Sequence, residues 1–407
     1  MRNRLPLLAI TLVFLMAGLA AAEDWPQWRG LHRDGKSPET GLLKRWPDAG
    51  PKLLWKADGL GEGYSQPTVA GGVVYVTGSV KGTGHTFAIA DGGKLKWKTP
   101  YGKAWKKQYN GPRTAPTIDD GRVYILSAYG QLVCMKAEDG GKLWERNVLK
   151  EFGGKNHMRG FTESVIIDGD HLICTPGGKD AAMVALDRSS GKTIWKTAGL
   201  KEKAAQCSPL LFEHGGRRLL TTCMATRVIG VDAETGKLLW TVPFRNRWGQ
   251  SPNTPVYADG IVYVTAGDKS GGIGIELSAD GTSARKKWSD GTLDCQHANV
   301  ILLDGHIYGA PQKGGRWICL ELKTGKVKST SRAVPKGCAT YADGMLYCYG
   351  ENGAMNLVKP DPKGLEVVSS FKIKHGRKQH WAHPSISDGR LYVRHGDAMM
   401  CYDIRAE

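Results

Sequence analysis

The sequence predicts an all-β chain folded as an eight-bladed β-propeller of four-stranded antiparallel blades. Three observations carry this expectation. The first is a repeated hairpin, best formed at Ala185-Leu-Asp-Arg-Ser-Ser-Gly-Lys-Thr-Ile-Trp195 and at Gly230-Val-Asp-Ala-Glu-Thr-Gly-Lys-Leu-Leu-Trp240. Weaker copies run from Cys134 to Trp144, Phe87 to Trp97 and Cys319 to Ser329, with the same offset. The second is an Asp-Gly or Gly-Gly pair between short β-branched and aromatic runs, as in Ala115–Tyr124 and Thr254–Tyr263. Tight hairpin turns need positive φ, which glycine adopts freely, so each pair marks a second hairpin per unit. The third is the count. Pro67, Pro116, Ser164, Pro209, Pro255, Val300, Ala339 and Pro384 hold one position of the repeat, 39 to 49 residues apart. Four-stranded units of this length, eight times over, fit a radial ring better than a stacked solenoid.

In chain order, residues 1–22 have the form of a cleavable export signal. Arg2 and Arg4 are basic, Leu5 to Leu19 is apolar, and Ala20-Ala21-Ala22 precede Glu23. The apolar run falls short of the roughly 20 residues that a membrane span needs. The expectation is therefore an exported or periplasmic chain with no transmembrane span after cleavage. Residues 23–50 read as an N-terminal arm, whose Trp25 and Trp28 would pack on the body. Residues 51–407 make the ring. Its eighth unit stops after Cys401-Tyr-Asp403 and lacks the strand ending in tryptophan. Pro51-Lys-Leu-Leu-Trp55 is such a strand without a partner, so about 51–56 should complete the last blade and close the ring, covering two open edges.

Trp55, Trp97, Trp144, Trp195, Trp240 and Trp288 are expected on outer strands, docked between neighbouring blades. Blade six has Ser329 instead and blade seven has no tryptophan near Val367 to Phe371, which marks two weaker junctions. Three of the nine cysteines, Cys134, Cys319 and Cys401, occupy the small-residue slot of the hairpin as buried apolar groups. An oxidising compartment would also permit a bridge such as Cys338–Cys348. Lys+Arg number 56 against Asp+Glu 39, a net +17 that becomes +15 without Arg2 and Arg4. That balance reads as a solvated surface, or as attraction to an acidic partner or polymer. Export points away from nucleic acid.

The hairpin Ala185–Trp195 and its copies resemble the pyrroloquinoline-quinone (PQQ)-type β-propellers. The opening Trp25-Pro-Gln-Trp-Arg-Gly30 and the stretch Gly177–Asp187 extend the resemblance over nearly the whole mature chain. In size and simplicity the chain is most similar to the BamB-like propellers of the outer-membrane assembly machinery. That resemblance implies a non-catalytic, monomeric binding or scaffolding module for a protein or anionic polymer. The lipid-anchoring cysteine of those propellers is missing at the signal boundary. Quinoprotein dehydrogenases of the same superfamily carry adjacent cysteines over the quinone, Glu and Asn on a calcium ion, and an Asp as base. This sequence has no Cys-Cys pair and no matching acidic cluster. PQQ with calcium therefore enters only under an alternative reading, a minimal quinoprotein dehydrogenase, and no catalytic residue is carried across. A carbohydrate-binding propeller is a second alternative.

Propellers bind ligands at the channel mouth, through residues just before each innermost strand. Here these are Tyr64, Arg113, Arg159, Glu163, Gln206, Asn253, His297, Lys336 and Trp381. Such groups suit an anionic or sugar-like ligand, or else line a water-filled channel. The long segment Phe152–Gly160 leading to blade three is the loop most suited to carry function. His380-x-x-His383 is spaced like a metal pair but lacks acidic neighbours, so no metal site is assigned.

Overall fold

The computed structural model describes residues 24–406, so the export signal expected at 1–22 lies outside the described residues. Eight blades of four antiparallel strands form the ring, and the sheet of the seventh gains a fifth strand from the arm. Seven lie at 68–103, 117–147, 166–196, 210–243, 256–290, 300–331 and 337–372, and the eighth at 385–403 is completed by Leu53–Ala57. Within a blade, chain order is spatial order. The first strands of successive blades touch one another and form the inner ring. Leu53–Ala57 pairs antiparallel with Ala398–Asp403, placing Trp55 opposite Cys401 and Lys56 opposite Met400. The ring is closed by the start of the chain.

The turns follow from composition. In blade two, Asp119 pairs with Arg122, and the two residues between them, Asp120 and Gly121, both have positive φ, at 45° and 68°. This mirror-image turn matches the right-handed twist of its strands.

The repeated tryptophan lies across its own hairpin and against the next blade. Trp144 stands opposite Cys134, Trp195 opposite Ala185 and Trp240 opposite Gly230. A Cβ on Gly230 would come 1.9 Å from Trp240, so the indole lies directly over the small residue. On the other side four of these rings meet a turn glycine of the following blade: Trp97 meets Gly140, Trp144 meets Gly191, Trp195 meets Gly236 and Trp288 meets Gly325. Three of the indole N–H groups donate to that blade as well, Trp97 to Ala137 O, Trp144 to Arg188 O and Trp288 to Leu322 O.

Two details differ from the sequence reading. In blade one the residue opposite Trp97 is Ala88, not Phe87, because the turn at Asp91–Gly93 is one residue shorter. In blade seven Ser369 holds the tryptophan's register position, opposite Leu357, and Phe371, two residues on, does the docking. A Cβ on Gly50, in the turn before the closing strand, would meet its ring at 2.6 Å, and Trp46 of the arm packs edge-on against it at 5.2 Å. The junction after blade six has no such aromatic, since Gly364 faces open space. All nine cysteines are buried free thiols. Cys338 pairs with Tyr349 and Cys348 with Ala339, so Cys338 and Cys348 project to opposite faces of their sheet and do not face each other.

The arm fills the channel. Asp24 accepts from Gly71 N in the first turn of blade one, and Trp25 exchanges two backbone hydrogen bonds with Val69. The chain then rises along the axis to Trp28 and Arg29, turns, and descends to Lys36–Ser37, which pairs in parallel with Gly337–Ala342 of blade seven. Arg29 and Arg33 are fully buried inside the ring. Arg33 donates to the carbonyls of Ser164, Val165 and Pro209, from blades three and four. Arg29 donates to Val300 O of blade six at 2.6 Å. The channel expected to hold water is therefore plugged by protein.

Candidate functional site

Above the plug, the ring mouth holds a recess of about 450 Å³. Its position follows from the architecture. The segments leading into the eight innermost strands converge there, and Trp28, at the top of the arm, is its floor. The Trp28 indole N–H donates to Thr254 Oγ1 at 2.8 Å, and its ring meets His383 edge-on at 4.9 Å.

Seven of the nine residues singled out from sequence line this recess: Tyr64, Arg113, Arg159, Gln206, His297, Lys336 and Trp381. Glu163 and Asn253 do not. Both turn inward and are buried. Glu163 accepts from Thr175 N at 2.9 and 3.2 Å. Asn253 donates to Thr265 O and Cys295 O and accepts from Asn299 N, tying blade five to blade six. Their polar groups are spent on backbone that would otherwise be unsatisfied.

Trp381 anchors one wall. Its ring touches Tyr109 at 4.6 Å, His297 at 5.1 Å and Tyr64 at 5.3 Å, and Tyr64 OH donates to Gln379 Oε1 at 2.7 Å. Beside this cluster Arg113 donates to the carbonyls of Tyr109 at 2.9 Å, Arg159 at 3.1 Å and Gln108 at 3.3 Å. Burial pulls the Arg113 guanidinium down to about 10, so it remains charged at neutral pH. Lys336 lies 2.8 Å from Glu351, which His297 also approaches at 3.4 Å. Burial resists ionisation of Glu351, but those two partners outweigh it and hold its carboxyl below the usual range. Some of the remaining lining lies just before innermost strands, as do Thr162, Ser208 and Asn299, and the rest comes from other places. Trp28 belongs to the arm, Asp268, Gln312 and Lys313 to turns between second and third strands, and Gln250 to the segment ahead of blade five.

The long segment 152–160 contributes Arg159 and bridges distant parts of the mouth. Asn156 donates to Ala128 O, and His157 Nε2 lies 3.1 Å from Trp248 O. His380 and His383 diverge: His380 stacks on His395 at 3.7 Å, whereas His383 lies against Trp28 and His297 O. Among the described residues no three His, Cys, Asp or Glu side chains converge as a metal ligand set.

His383 makes a pH dependence predictable. Burial first, then nearby Arg29, push its imidazole down to about 3, against 6.5 for the free group, with the hydrogen bond to His297 O opposing. The folded pKa lies below the unfolded one, so the unfolded chain takes up the extra proton. Stability is complete above about pH 6.5 and falls below it, by up to about 1.4 kcal/mol per pH unit for one proton. His383→Gln is expected to flatten the decline of the urea midpoint between pH 6.5 and 4. An unchanged slope would contradict this assignment.

Comparison with known proteins gives two lines of similarity. The chain is 27% identical to the 1-butanol dehydrogenase (quinone) of Thauera butanivorans over 34% of this chain and 25% of that protein. It is 25% identical to the outer membrane protein assembly factor BamB of Shewanella oneidensis, over 57% of this chain and 55% of that one. These matches thus span about a quarter to about half of the relatives' length. In structure it superposes on BamB from Moraxella catarrhalis with a TM-score of 0.61 and 16% identity, covering 88% of this chain and 99% of the other, a likeness of fold. The family model described as outer membrane protein assembly factor BamB matches residues 39–178 and 87–331, well over half of the sequence, and the chain belongs to that family.

Proposed function

We propose that this chain is an exported, non-catalytic propeller that works as a binding and scaffolding module, offering the mouth of its ring to a protein or polymer partner. The recess carries the reading. It is closed below by the arm, open outward, and furnished with cations, amides and aromatic faces around a single carboxylate, Asp268. Asp268 already accepts from Asn246 and Gln312 amides, at 3.4 and 3.3 Å. Around it, Tyr109, Tyr129, Met158 and Trp248 are large exposed apolar side chains on segments of the same end of the ring. Apolar exposure rimmed by charge is typical of interaction surfaces. Family membership supports a protein partner.

A photo-crosslinking residue at Met158 should yield a discrete adduct in the exporting cell, while one at Ile194, exposed on the outer strand of blade three, should not. Adducts from Ile194 alone would move the partner to the rim and sink the proposal.

Similarity to a quinone-dependent butanol dehydrogenase favours a second reading, an enzyme of that type. The cations and the rings of Trp28 and Trp381 would suit a flat polyanionic quinone. Calcium needs several converging oxygen ligands, and one amide-tethered carboxylate does not supply them. The donor set does not fit a calcium–quinone pair. Purified protein mixed with quinone, calcium, alcohols and a dye acceptor should neither retain quinone absorbance nor reduce dye. Dye reduction would establish the second reading in place of the first.

A further inference from the structure

We propose that the recess is a binding site for the end of an acidic saccharide, a chain of sugar units bearing carboxylate or sulfate groups. This rests on the reading of the ring mouth as a binding surface and names what the mouth holds.

The argument begins with uncompensated charge. Lys336 has Glu351 as a partner, but Arg113, Arg159 and Lys313 make no ion pair with a carboxylate among the described residues. Arg113 is held in place by three neutral carbonyls, so its position is fixed while its charge is not cancelled. Gathering several cations at one mouth without counter-charge costs stability unless an anion joins them. That defines the sign of the ligand.

The groups between the cations define its class. Side-chain amides both donate and accept, and so do sugar hydroxyls, whereas phosphate or a bare carboxylate only accepts. Three amides here are built into the wall and are not free to swing away. Gln206 is 6% exposed and its Nε2 donates to Gly160 O at 2.7 Å, leaving its oxygen as the free end. Asn299 is 4% exposed, with a left-handed φ of 58°. Its Oδ1 accepts from Thr254 N at 2.8 Å, and its amide N–H groups have no acceptor among the described residues. Gln250 is 3% exposed, lines the recess, and its Nε2 is buried with no hydrogen bond. A buried amide left unpaired costs about 1–3 kcal/mol, which a ligand hydroxyl reached through a small side-chain rotation would recover.

The walls supply the third element. Trp381 is braced on three sides by Tyr64, Tyr109 and His297, and Trp28 is fixed by its bond to Thr254. These are two immobilised indoles in one recess, a platform for the apolar C–H face of a sugar ring. An acidic peptide would satisfy the charge and could pair its backbone with the amides, but aliphatic glutamate side chains give no ring face to lie on the two indoles.

Calorimetry on the full mature chain separates the cases. The probes are tetragalacturonate, a sulfated galactose tetrasaccharide, its unsulfated parent and tetraglutamate. Binding of the uronate or the sulfated sugar is expected, with at least about tenfold preference over the neutral sugar, and the stronger of the two identifies the acidic group. Lys313→Met, at an exposed position that should not disturb folding, and Trp381→Ala should each weaken it about tenfold. Lys192→Met, on a turn far from the mouth, should change nothing. Variants are accepted only if they melt with the parent. Tetraglutamate binding as tightly as the sugars, or equal affinity for the neutral parent, would overturn the inference. Binding to none of the four would also overturn it, while the Met158 crosslink would still decide the scaffold reading on its own.

Discussion

A chain lacking residues 51–56 is expected to lose cooperative folding at room temperature, although the deletion removes no part of the recess. Three losses combine. Trp55 is buried, lies 6.1 Å from Tyr392, and donates its indole N–H to Asp91 Oδ1 of blade one at 3.2 Å. Removing a buried tryptophan alone costs about 3–5 kcal/mol. The outer edge of Ala398–Asp403 is also left unpaired, and Gly93 of blade one loses the ring that covers it. Against a total stability of about 5–15 kcal/mol, the sum leaves nothing. A control is built into blade five, where Trp288 follows its partner Gly274 by fourteen positions rather than ten. Shortening that turn by residues 279–282 brings it to the length of its sisters and should lower the urea midpoint only slightly. Closure is refuted if both deletions give the same midpoint and slope.

The ring was legible because its signals are local and repeated. A turn such as Asp120-Gly121 is specified by two residues, and a tryptophan over a small partner by a fixed offset, so eight noisy copies reinforce one another. Closure was legible by subtraction: Leu53–Ala57 looked like an outer strand with no hairpin of its own. Where a turn changed length the offset rule slipped by one, which put Phe87 in the place of Ala88. Phe371 was overlooked because the rule asked for tryptophan, while the junction only needs a large flat ring lying on Gly50.

The recess was legible only in part, for a different reason. Position in the repeat says that a residue stands at the channel mouth, not which way its side chain turns. Glu163 and Asn253 turned inward because backbone N–H and C=O groups there lack other partners, and that demand arises from packing between blades. Sequence places Trp28 only on an arm that packs on the body, and it does not place the buried arginines at all. Arg29 finds its acceptor 271 residues away and Arg33 at 131, 132 and 176, and nothing in an arm of mixed polarity announces such partners. The spacing of His380 and His383 resembles a metal pair, whereas the neighbour of His383 is the floor of the recess.

Arg33→Met is expected to destabilise the ring by about 3 kcal/mol, more than any exposed charge could. Innermost strands turn one edge toward the axis, and the arm supplies what those edges lack. Arg33 bonds three carbonyls from two blades, and its Nε donates to Gln27 Oε1 at 2.9 Å, so every partner is neutral. Burial draws its guanidinium down to about 9, with Glu163 opposing, and the side chain still enters the ring charged. Methionine fills similar space and removes the cost of burying a charge, an exchange that can be neutral when the partners leave too. Here they stay. Ser164 O, Pro209 O and Gln27 Oε1 lose their Arg33 donor, at about 1 kcal/mol or more each, while Val165 O keeps Thr117 Oγ1 at 2.8 Å, and the loss outweighs the relief. Arg33→Lys should recover little, because one ammonium cannot reproduce the planar fork that reaches both blades. The measurement is the urea midpoint together with amide exchange at Ile166–Asp168 and Leu210–His214, the strands beside those carbonyls. Faster exchange confined to these two blades would show the arm acting as a central tie. Equal midpoints for Arg33→Met and the parent would mean that water meets those carbonyls equally well, and that the arm only occupies the channel.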